Sequence, residues 1–573
     1  MIKVRYSDIE MSDGTKITLP PAGVVIFVGP NNAGKSQSLK DLRGHVQDGA
    51  YSGRAIRRVT INKEGSRDDI DEWARSSLSW HERDGISRAH VDGWGEVAAT
   101  DIANQWDTAS PLLSVLTDSL VLFADGTTRL TAGNAPKNLD FRRQPATHPI
   151  QRASRSPKLE RAFHELSMSA FSLGVTVDRF SGSVIPLRLG PRPEFRHEDG
   201  MPTDEYLADL SSLAQLEEQG DGVKGYLGLM IQLVAGSHQV LLVDEPEAFL
   251  HPPQARLLGR SLAERASDRQ VFISTHSADI VRGALESDAT VTIIRLRRNG
   301  SSNEAAVLDD AAVKQLWSDP LLRYSEVLSG LFHDAVVVCE ADSDCRYFAA
   351  VRDQLFPDGG AGGRRPELLF TYCGGKARLP VVIRALRAVR VPVIAIADFD
   401  VLREEHHIRG IYNASGGDWS QLETTHKVLS SDLQSGAKSA SRTAVREAVL
   451  RRLDEAEELL TKADIEDVKR ILKVENGWDR VKSAGLAAVP QGAAATAADT
   501  LLSELQERNV LVVPVGELER FEPSVAGHGP VWVNEVLSQG RHENPGKDAR
   551  DFLGRIEAVA RHASGLGSVT VID

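Results

Sequence analysis

Apolar positions along the chain fall into two series of short runs, separated by stretches with helical spacing. The first run, Val24-Val25-Ile26-Phe27-Val28, ends at Gly29 and leads into a glycine-rich loop. Ahead of it the pattern predicts a short strand, a turn at Ser12-Asp13-Gly14 and a second strand. Further on, 222–235 has helical spacing, 239–243 (QVLLV) reads as a buried strand, 253–265 as a helix and 271–274 (VFIS) as another buried strand. The second series opens with the strand 335–339 (AVVVC) and the helix 343–355. It continues through the strand 367–372, the helix 377–390 and the strand 392–397 (PVIAIA), and closes with the strand 510–515 (VLVVPV) and the helix 547–562. Buried strands alternating with helices predict an α/β fold with parallel sheets covered on their faces.

The two series imply two domains, 1–320 and 333–573, each interrupted. The first interruption, 46–205, has weak patterning and many Arg, Ser and Asp residues, and reads as mixed helices and loops inserted between two halves of one core. Within it, 186–203 (PLRLGPRPEFRHEDGMPT) reads as a loop or arm. The second interruption, 420–508, is rich in Ala, Glu, Lys and Arg at helical spacing.

Composition narrows the class. Hydrophobic residues make up 41% and charged residues 26% of the 573, as in soluble globular proteins. No apolar run is long enough for a membrane span, and MIKVRYSDIE lacks the pattern of a secretory signal. Cys339, Cys345 and Cys373 have no zinc-ligand spacing and are too few for a disulfide framework, so a reducing cytoplasm is expected. The formal charge of −13, from 67 basic and 80 acidic residues, is not that of a typical nucleic-acid binder. Phosphate contact depends on where positive charge lies, however, and metal-binding carboxylates add acid of their own.

Gly29-Pro30-Asn31-Asn32-Ala33-Gly34-Lys35-Ser36 fits G-x-x-x-x-G-K-[ST] directly after a strand. The pattern implies ATP as ligand. Backbone N–H groups around Gly29, Asn31, Asn32 and Gly34 cradle phosphates, Lys35 reaches the β and γ phosphates, and the Ser36 hydroxyl coordinates Mg²⁺. Downstream, the strand ending at Val243 delivers Asp244, expected to hold Mg²⁺, and Glu245, expected to orient and deprotonate the attacking water. His276, in Ser274-Thr275-His276-Ser277 after the next core strand, is placed to touch the γ-phosphate.

A second acidic set lies in the other domain. Glu340 ends the strand 335–339, with Asp342 and Asp344 beyond it, and Asp398-Phe399-Asp400 ends the strand 392–397. Several carboxylates at one sheet edge suit two divalent ions, Mg²⁺ or Mn²⁺, acting on a phosphodiester. Glu517 and Glu519, just past the strand 510–515, are candidate ligands of the second ion, and Lys547 is a candidate to neutralise the scissile phosphate.

The phosphate loop and Asp244-Glu245 resemble the ABC-type ATPase heads of the SMC and RecF group. In that group a split core brackets a long insertion, and a signature loop from a second subunit completes the site. Here the equivalent is Gly220-Asp221-Gly222-Val223-Lys224-Gly225, ahead of a helix, which departs from the usual Ser-Gly-Gly-Gln form. The resemblance implies a homodimer. Glu340 followed by Asp398-x-Asp400 resembles the Toprim domain of topoisomerases, primases and related nucleases. The whole order, an ABC ATPase followed by Toprim, resembles the OLD (overcoming lysogenization defect) nuclease family and the Gabija A subunit. That likeness covers 1–45, about 210–300 and 335–573 in organisation. It implies metal-dependent cutting of nucleic acid, DNA above all, under ATP control in bacterial anti-phage defence, with a helicase-like partner as a family expectation.

Two other readings stay open: an ATPase sensor or scaffold whose Toprim-like domain does not cut, and an RNA-directed nuclease. Ala341, where Toprim domains usually carry glycine after the acid, favours the scaffold. For nucleic acid, two basic clusters stand out: Arg142, Arg143, Arg152, Arg155, Lys158 and Arg161, and Arg364, Arg365, Lys376, Arg378, Arg384, Arg387 and Arg390.

Overall fold

The computed structural model describes residues 2–91, 94–106, 110–142, 144–300, 302–318, 326–357, 364–435, 441–455, 461, 464–465, 467–469 and 477–565. They form two compact units, Met1–Phe332 and His333–Asp573.

The first unit is built on six strands: β1 (Gly23–Val28), β2 (Val121–Ala124), β3 (Val240–Asp244), β4 (Gln270–Ser274), β5 (Val291–Asn299) and β6 (Ser302–Leu308). Their order is β6-β5-β1-β4-β3-β2, parallel throughout except for β6. Every residue of β1 and β4 is buried, which is why both read as continuous apolar runs rather than alternating ones. The helices that matter for the site are α1 (Lys35–Gln47), α2 (Asp221–Ala235), α3 (Pro252–Glu264) and α4 (Ala278–Leu285).

The stretch read as mixed helices and loops also holds several strands, and two of them extend the sheets around the core. Val121–Ala124 is the edge strand β2, and Ile56–Glu64 pairs antiparallel with Lys3–Met11 in a three-stranded sheet. The first has only four residues, too few for a periodic signal. The second alternates only in part, because Arg57 and Arg58 are both exposed and Lys63 sits among the buried positions. This small sheet is tied to the main one through Gln270. Its side-chain amide donates to the Tyr6 carbonyl at 2.8 Å and accepts from the Tyr6 N–H at 2.8 Å.

The second unit carries β7 (Ala335–Cys339), β8 (Leu368–Tyr372), β9 (Val393–Ala397) and β10 (Val510–Val512), in the order β8-β7-β9-β10 and all parallel. From β7 the chain moves to one side for β8 and then to the other for β9. The carboxyl ends of β7 and β9 therefore flank a topological switch point, where an open parallel sheet leaves a crevice. Around the sheet run α5 (Asp342–Leu355), α6 (Leu379–Ala388) and α7 (Lys547–Ala563). Arg352 of α5 and Glu557 of α7 form an ion pair of 2.9 Å with side chains 6% and 7% exposed, and Arg352 also donates to the Pro366 carbonyl. Removing either partner strands a buried charge, at about 3–5 kcal/mol.

The stretch 420–508 is helical where described, with helices Glu423–Ser435, Arg442–Asp454, Gly477–Ala484 and Ala493–Glu507. Parts of it between 436 and 476 lie outside the described residues. Among the described residues no helix is long and apolar enough to cross a membrane. The three cysteines are buried and free.

Candidate functional site

The glycine-rich loop of the first unit joins β1 to α1. Gly29 and Gly34 have φ of 142° and 94°, in the left-handed region. A side chain at Gly29 would put Cβ 2.2 Å from the Leu296 carbonyl oxygen, and one at Gly34 would stand 2.7 Å from Asn303 Nδ2. Both glycines are thus required by backbone angle and by space. Lys35 is 3% exposed, and its ammonium donates to the Gly29 and Pro30 carbonyls at 2.7 and 2.9 Å. Ser36 follows in the first turn of α1, partly buried. Asn31 and Asn32 are exposed at the rim, and Asn32 Oδ1 accepts from Arg298 at 3.3 Å.

Asp244 ends β3 and accepts the Ser274 hydroxyl from the end of β4. Glu245 leaves the strand with φ 45°, held by its N–H to the Ser274 carbonyl at 2.9 Å, and its carboxylate is exposed. His276 Nε2 lies 3.4 Å from Glu245 Oε1. The structure therefore brings Glu245 and His276 together, with Asp244 at the head of the same turn.

Two residues here escaped the sequence reading. Glu247 Oε1 accepts the Thr275 hydroxyl at 2.8 Å and the His276 N–H at 2.7 Å, pinning the turn that carries His276. Burial pushes its carboxyl above the ordinary range, and its buried Oε2 has no hydrogen-bond partner. Arg129, 3% exposed, is the cation set against these acids. Burial lowers its pKa, opposed by the charges of Glu247, Asp244, Asp125 and Glu245. The Asp-Glu-Pro-Glu run is a local signal that could have found Glu247; no local signal marks Arg129. The glycine-rich 220–225 stretch is the cap and first turn of α2 rather than a loop ahead of it. A side chain at Gly222 would stand 2.6 Å from the Phe249 carbonyl oxygen, so glycine there lets the helix start pack against the turn after Glu247.

In the second unit the acids gather at the switch point. Glu340 Oε1 accepts the Asp398 N–H at 3.2 Å. Asp344 in the first turn of α5 accepts the Ala341 N–H at 2.9 Å. Removal from water pushes the Glu340 carboxyl up to about 7, with further repulsion from Asp400 and Asp344. Asp344 is pushed up to about 6, again by burial first and by the Glu519 charge. Asp398 is held well above the carboxylate range by burial and then by Glu340, Asp344, Asp400 and Glu519. Among the described residues, Lys376 Nζ is 3.4 Å from Asp400, and Lys482 Nζ lies 4.0 Å from Asp400 and 3.9 Å from Glu517. Glu519 pairs with His528 at 2.6 Å and accepts the Gly529 N–H at 2.7 Å. Five carboxylates that repel one another at one sheet edge have the chemistry of a divalent-cation donor set. Among the described residues, the groups whose ligand atoms all fall within 4.8 Å of one another are Glu517–Glu519–His528 and Glu404–His406–His407.

Three placements change the sequence picture. Ala341 has φ −132° and ψ 164°, extended backbone that any residue adopts, so the missing glycine brings no strain. Lys547 is the exposed first residue of α7, and no ion pair among the described residues joins it to the cluster; Lys376 is the ammonium seated beside Asp400. Several of the basic residues are engaged internally. Arg364 pairs with Asp334 and Arg365 with Asp353, while Arg152 is partly buried and donates to the Ala146 and Ala235 carbonyls. Arg378, Arg384 and Arg387 remain exposed, and Arg143 lies outside the described residues.

The raised carboxyls have a thermodynamic consequence. Glu340 and Asp344 bind their protons more tightly in the folded chain than in the unfolded one, so their contribution to stability falls as pH rises through about 6 and 7. Chelator-treated protein is expected to show a falling component of Tm from the ordinary carboxylate range up to about pH 7, shallower in Glu340→Gln and flattened by Mn²⁺. Calorimetry across that window checks it; an identical pH profile for wild type and Glu340→Gln contradicts it.

Comparison with known proteins bears on the first unit. Residues 66–282 match the family model described as "AAA domain, putative AbiEii toxin, Type IV TA system". The chain carries a P-loop ATPase domain. The matched span includes Asp244, Glu245 and His276, whereas the loop 29–36 lies ahead of it. Among solved structures, the SMC head with an extended coiled coil bound to the C-terminal domain of ScpA, from Pyrococcus furiosus, is 11% identical with a TM-score of 0.33, over 56% of this chain and 99% of that one. An SMC head bound to the C-terminal winged-helix domain of ScpA is 11% identical with a TM-score of 0.30, over 54% and 97%. The SMC head domain from Thermotoga maritima is 12% identical with a TM-score of 0.27, over 54% and 98%. None superposes closely enough to bear on mechanism. No curated protein matches the sequence.

Proposed function

We propose that this chain is an ATP-regulated, divalent-metal-dependent endonuclease acting on nucleic acid, with DNA the first substrate class, working as a homodimer in anti-phage defence. The observation that carries the nuclease reading is the crowding of Glu340, Asp344, Asp398, Asp400 and Glu519 at the switch point of a parallel sheet, where Asp398 is pushed far above the carboxylate range. Clustered acid of this kind opposes folding and is the arrangement that two-metal phosphodiester chemistry requires. The Toprim resemblance of the sequence agrees with it, and the extended backbone at Ala341 removes the main support for a non-cutting scaffold.

In this reading Glu340, Asp344, Asp398 and Asp400 hold Mg²⁺ or Mn²⁺, with Glu517 and Glu519 serving the second ion. The metals supply Lewis acidity to the phosphodiester and lower the pKa of a bound water. Lys376 balances the charge of Asp400, and Lys547 is assigned to the scissile phosphate from the first turn of α7. The exposed Tyr372 and Arg378 flank the same sheet edge and suit a base and a phosphate. In the ATPase domain the loop amides and Lys35 hold the phosphates, Ser36 and Asp244 hold Mg²⁺, Glu245 takes the proton of the attacking water, and Glu247 positions His276.

Glu245→Gln is expected to keep ATP binding while turnover falls by roughly 10²-fold or more, as for loss of a general base. It is also expected to shift the protein to a dimer with ATP in light scattering. Unchanged turnover removes Glu245 from the reaction. Substrate class is tested by end-labelled duplex DNA and tRNA side by side with Mg²⁺ or Mn²⁺. Cleavage of tRNA alone replaces DNA by RNA in this assignment, and cleavage of neither contradicts it.

A further inference from the structure

The acidic centre has an imidazole at its edge. His528 lies in the segment between the short helical turn Leu518–Phe521 and the helix Pro530–Ser538. Its side chain is 81% exposed, yet Nδ1 stands 2.6 Å from Glu519 Oε1. An exposed histidine has ample freedom to point into solvent; this one is turned inward onto a carboxylate. One ligand atom each from Glu517, Glu519 and His528 falls within 4.8 Å of the other two, close enough to share one ion. The same Glu519 Oε1 also accepts the Gly529 N–H at 2.7 Å, and Glu517 pairs with Arg520 at 3.3 Å. The group also belongs to the larger cluster electrically, since the Asp344 carboxyl feels both Glu519 and His528.

We propose that His528 is a ligand, together with Glu517 and Glu519, of the second cation of the acidic centre, and that its nitrogen makes this position favour a transition-series ion such as Mn²⁺ over Mg²⁺. The inference rests on the metal-dependent reading above and deepens it. Mg²⁺ demands oxygen ligands in near-octahedral array and gives up its waters reluctantly. An imidazole donor shifts preference toward the first-row transition ions, and Mn²⁺ is among those that suit a carboxylate-rich site. A second imidazole-bearing group, Glu404 with His406 and His407, lies beyond β9, and His407 feels the charge of Asp400. It is the natural control.

The test uses the tag-free, nucleotide-free full-length protein with Mn²⁺ alone. Pulsed EPR of the Mn²⁺-loaded protein is expected to show coupling to a nitrogen, lost in His528→Ala and retained in His406→Ala/His407→Ala. Titration calorimetry is expected to show Mn²⁺ affinity at one site falling roughly tenfold or more in His528→Ala, the scale seen when support of a metal site is removed. His528→Asp, with an oxygen-only ligand set, is expected to recover binding but with Mn²⁺ preference over Mg²⁺ reduced. Because His528 is exposed, each variant should keep the wild-type circular dichroism spectrum. Nitrogen coupling and Mn²⁺ affinity unchanged in His528→Ala overturn the inference, as does coupling lost only in His406→Ala/His407→Ala. Asp398→Ala/Asp400→Ala separates the two levels. If that variant loses cleavage while His528→Ala leaves the Mn²⁺ site intact, only the ligand assignment fails. If it keeps both cleavage and wild-type Mn²⁺ stoichiometry, the metal-dependent reading itself fails.

Discussion

Lys35→Ala is expected to weaken ATP binding by at least roughly one to two decades and, with it, to suppress ATP hydrolysis. Lys35 is buried, and its ammonium is already positioned by two loop carbonyls at 2.7 and 2.9 Å, so little order remains to be imposed when phosphate arrives. A charge-assisted contact of this kind contributes about 1.5–3 kcal/mol, which is roughly one to two decades of affinity. Alanine also leaves the Gly29 and Pro30 carbonyls without their donor, which loosens the cradle that aligns the amides. Fluorescent-nucleotide titration and phosphate release together check the prediction. Wild-type affinity in the variant removes the nucleotide assignment from this loop.

Asp398→Asn is expected to do two opposite things: remove metal-dependent cleavage and stabilise the metal-free protein. Asp398 is repelled by Glu340, Asp344, Asp400 and Glu519, and no cation is among its principal electrostatic neighbours. An amide of nearly the same shape removes that repulsion and offers N–H donors to the surrounding carboxylates. Relief of about 1 kcal/mol corresponds to a Tm rise of roughly 2–4 °C in a domain of this size. Asp400→Asn is the informative contrast. Asp400 faces Lys376 and Lys482, so neutralising it discards attraction as well as repulsion, and no comparable stabilisation is expected. Both variants should lose the Tm increase that Mn²⁺ is expected to give the wild type. Calorimetry of chelator-treated and Mn²⁺-loaded protein measures all of these; a destabilised Asp398→Asn that still cuts contradicts the metal-binding role.

What the sequence made legible follows from how local each signal is. The strand runs 24–28, 239–243, 271–274, 335–339 and 392–397 lie on buried strands within a residue or so at each end, because fully buried parallel strands read as unbroken apolar runs. A residue that ends such a run sits at the carboxyl edge of its sheet, which is why Asp244, Glu340 and Asp398 were visible as candidates. Long-range partners were not. Ile56–Glu64 carries two adjacent exposed arginines and a lysine at a buried position, and it joins a sheet through Lys3–Met11, about fifty residues earlier. Arg129 opposes the Asp244 and Glu247 charges from a helix more than a hundred residues upstream. Lys482 reaches Asp400 and Glu517 from inside the helical insertion, where lysine is unremarkable. His528 follows a proline- and glycine-containing stretch with no motif at all. Ala341 misled for a different reason: family usage of glycine was taken for a backbone requirement, and the observed angles impose none.

Cleavage of supercoiled plasmid DNA with Mg²⁺ or Mn²⁺, run on wild type, Asp398→Ala/Asp400→Ala and Lys35→Ala with and without ATP, tests the proposed activity most directly. The expected result is nicking by wild type only in the presence of metal, none by the double variant, and a rate that responds to ATP in wild type but not in Lys35→Ala. Nicking that survives Asp398→Ala/Asp400→Ala, or a wild-type rate indifferent to ATP, would contradict it.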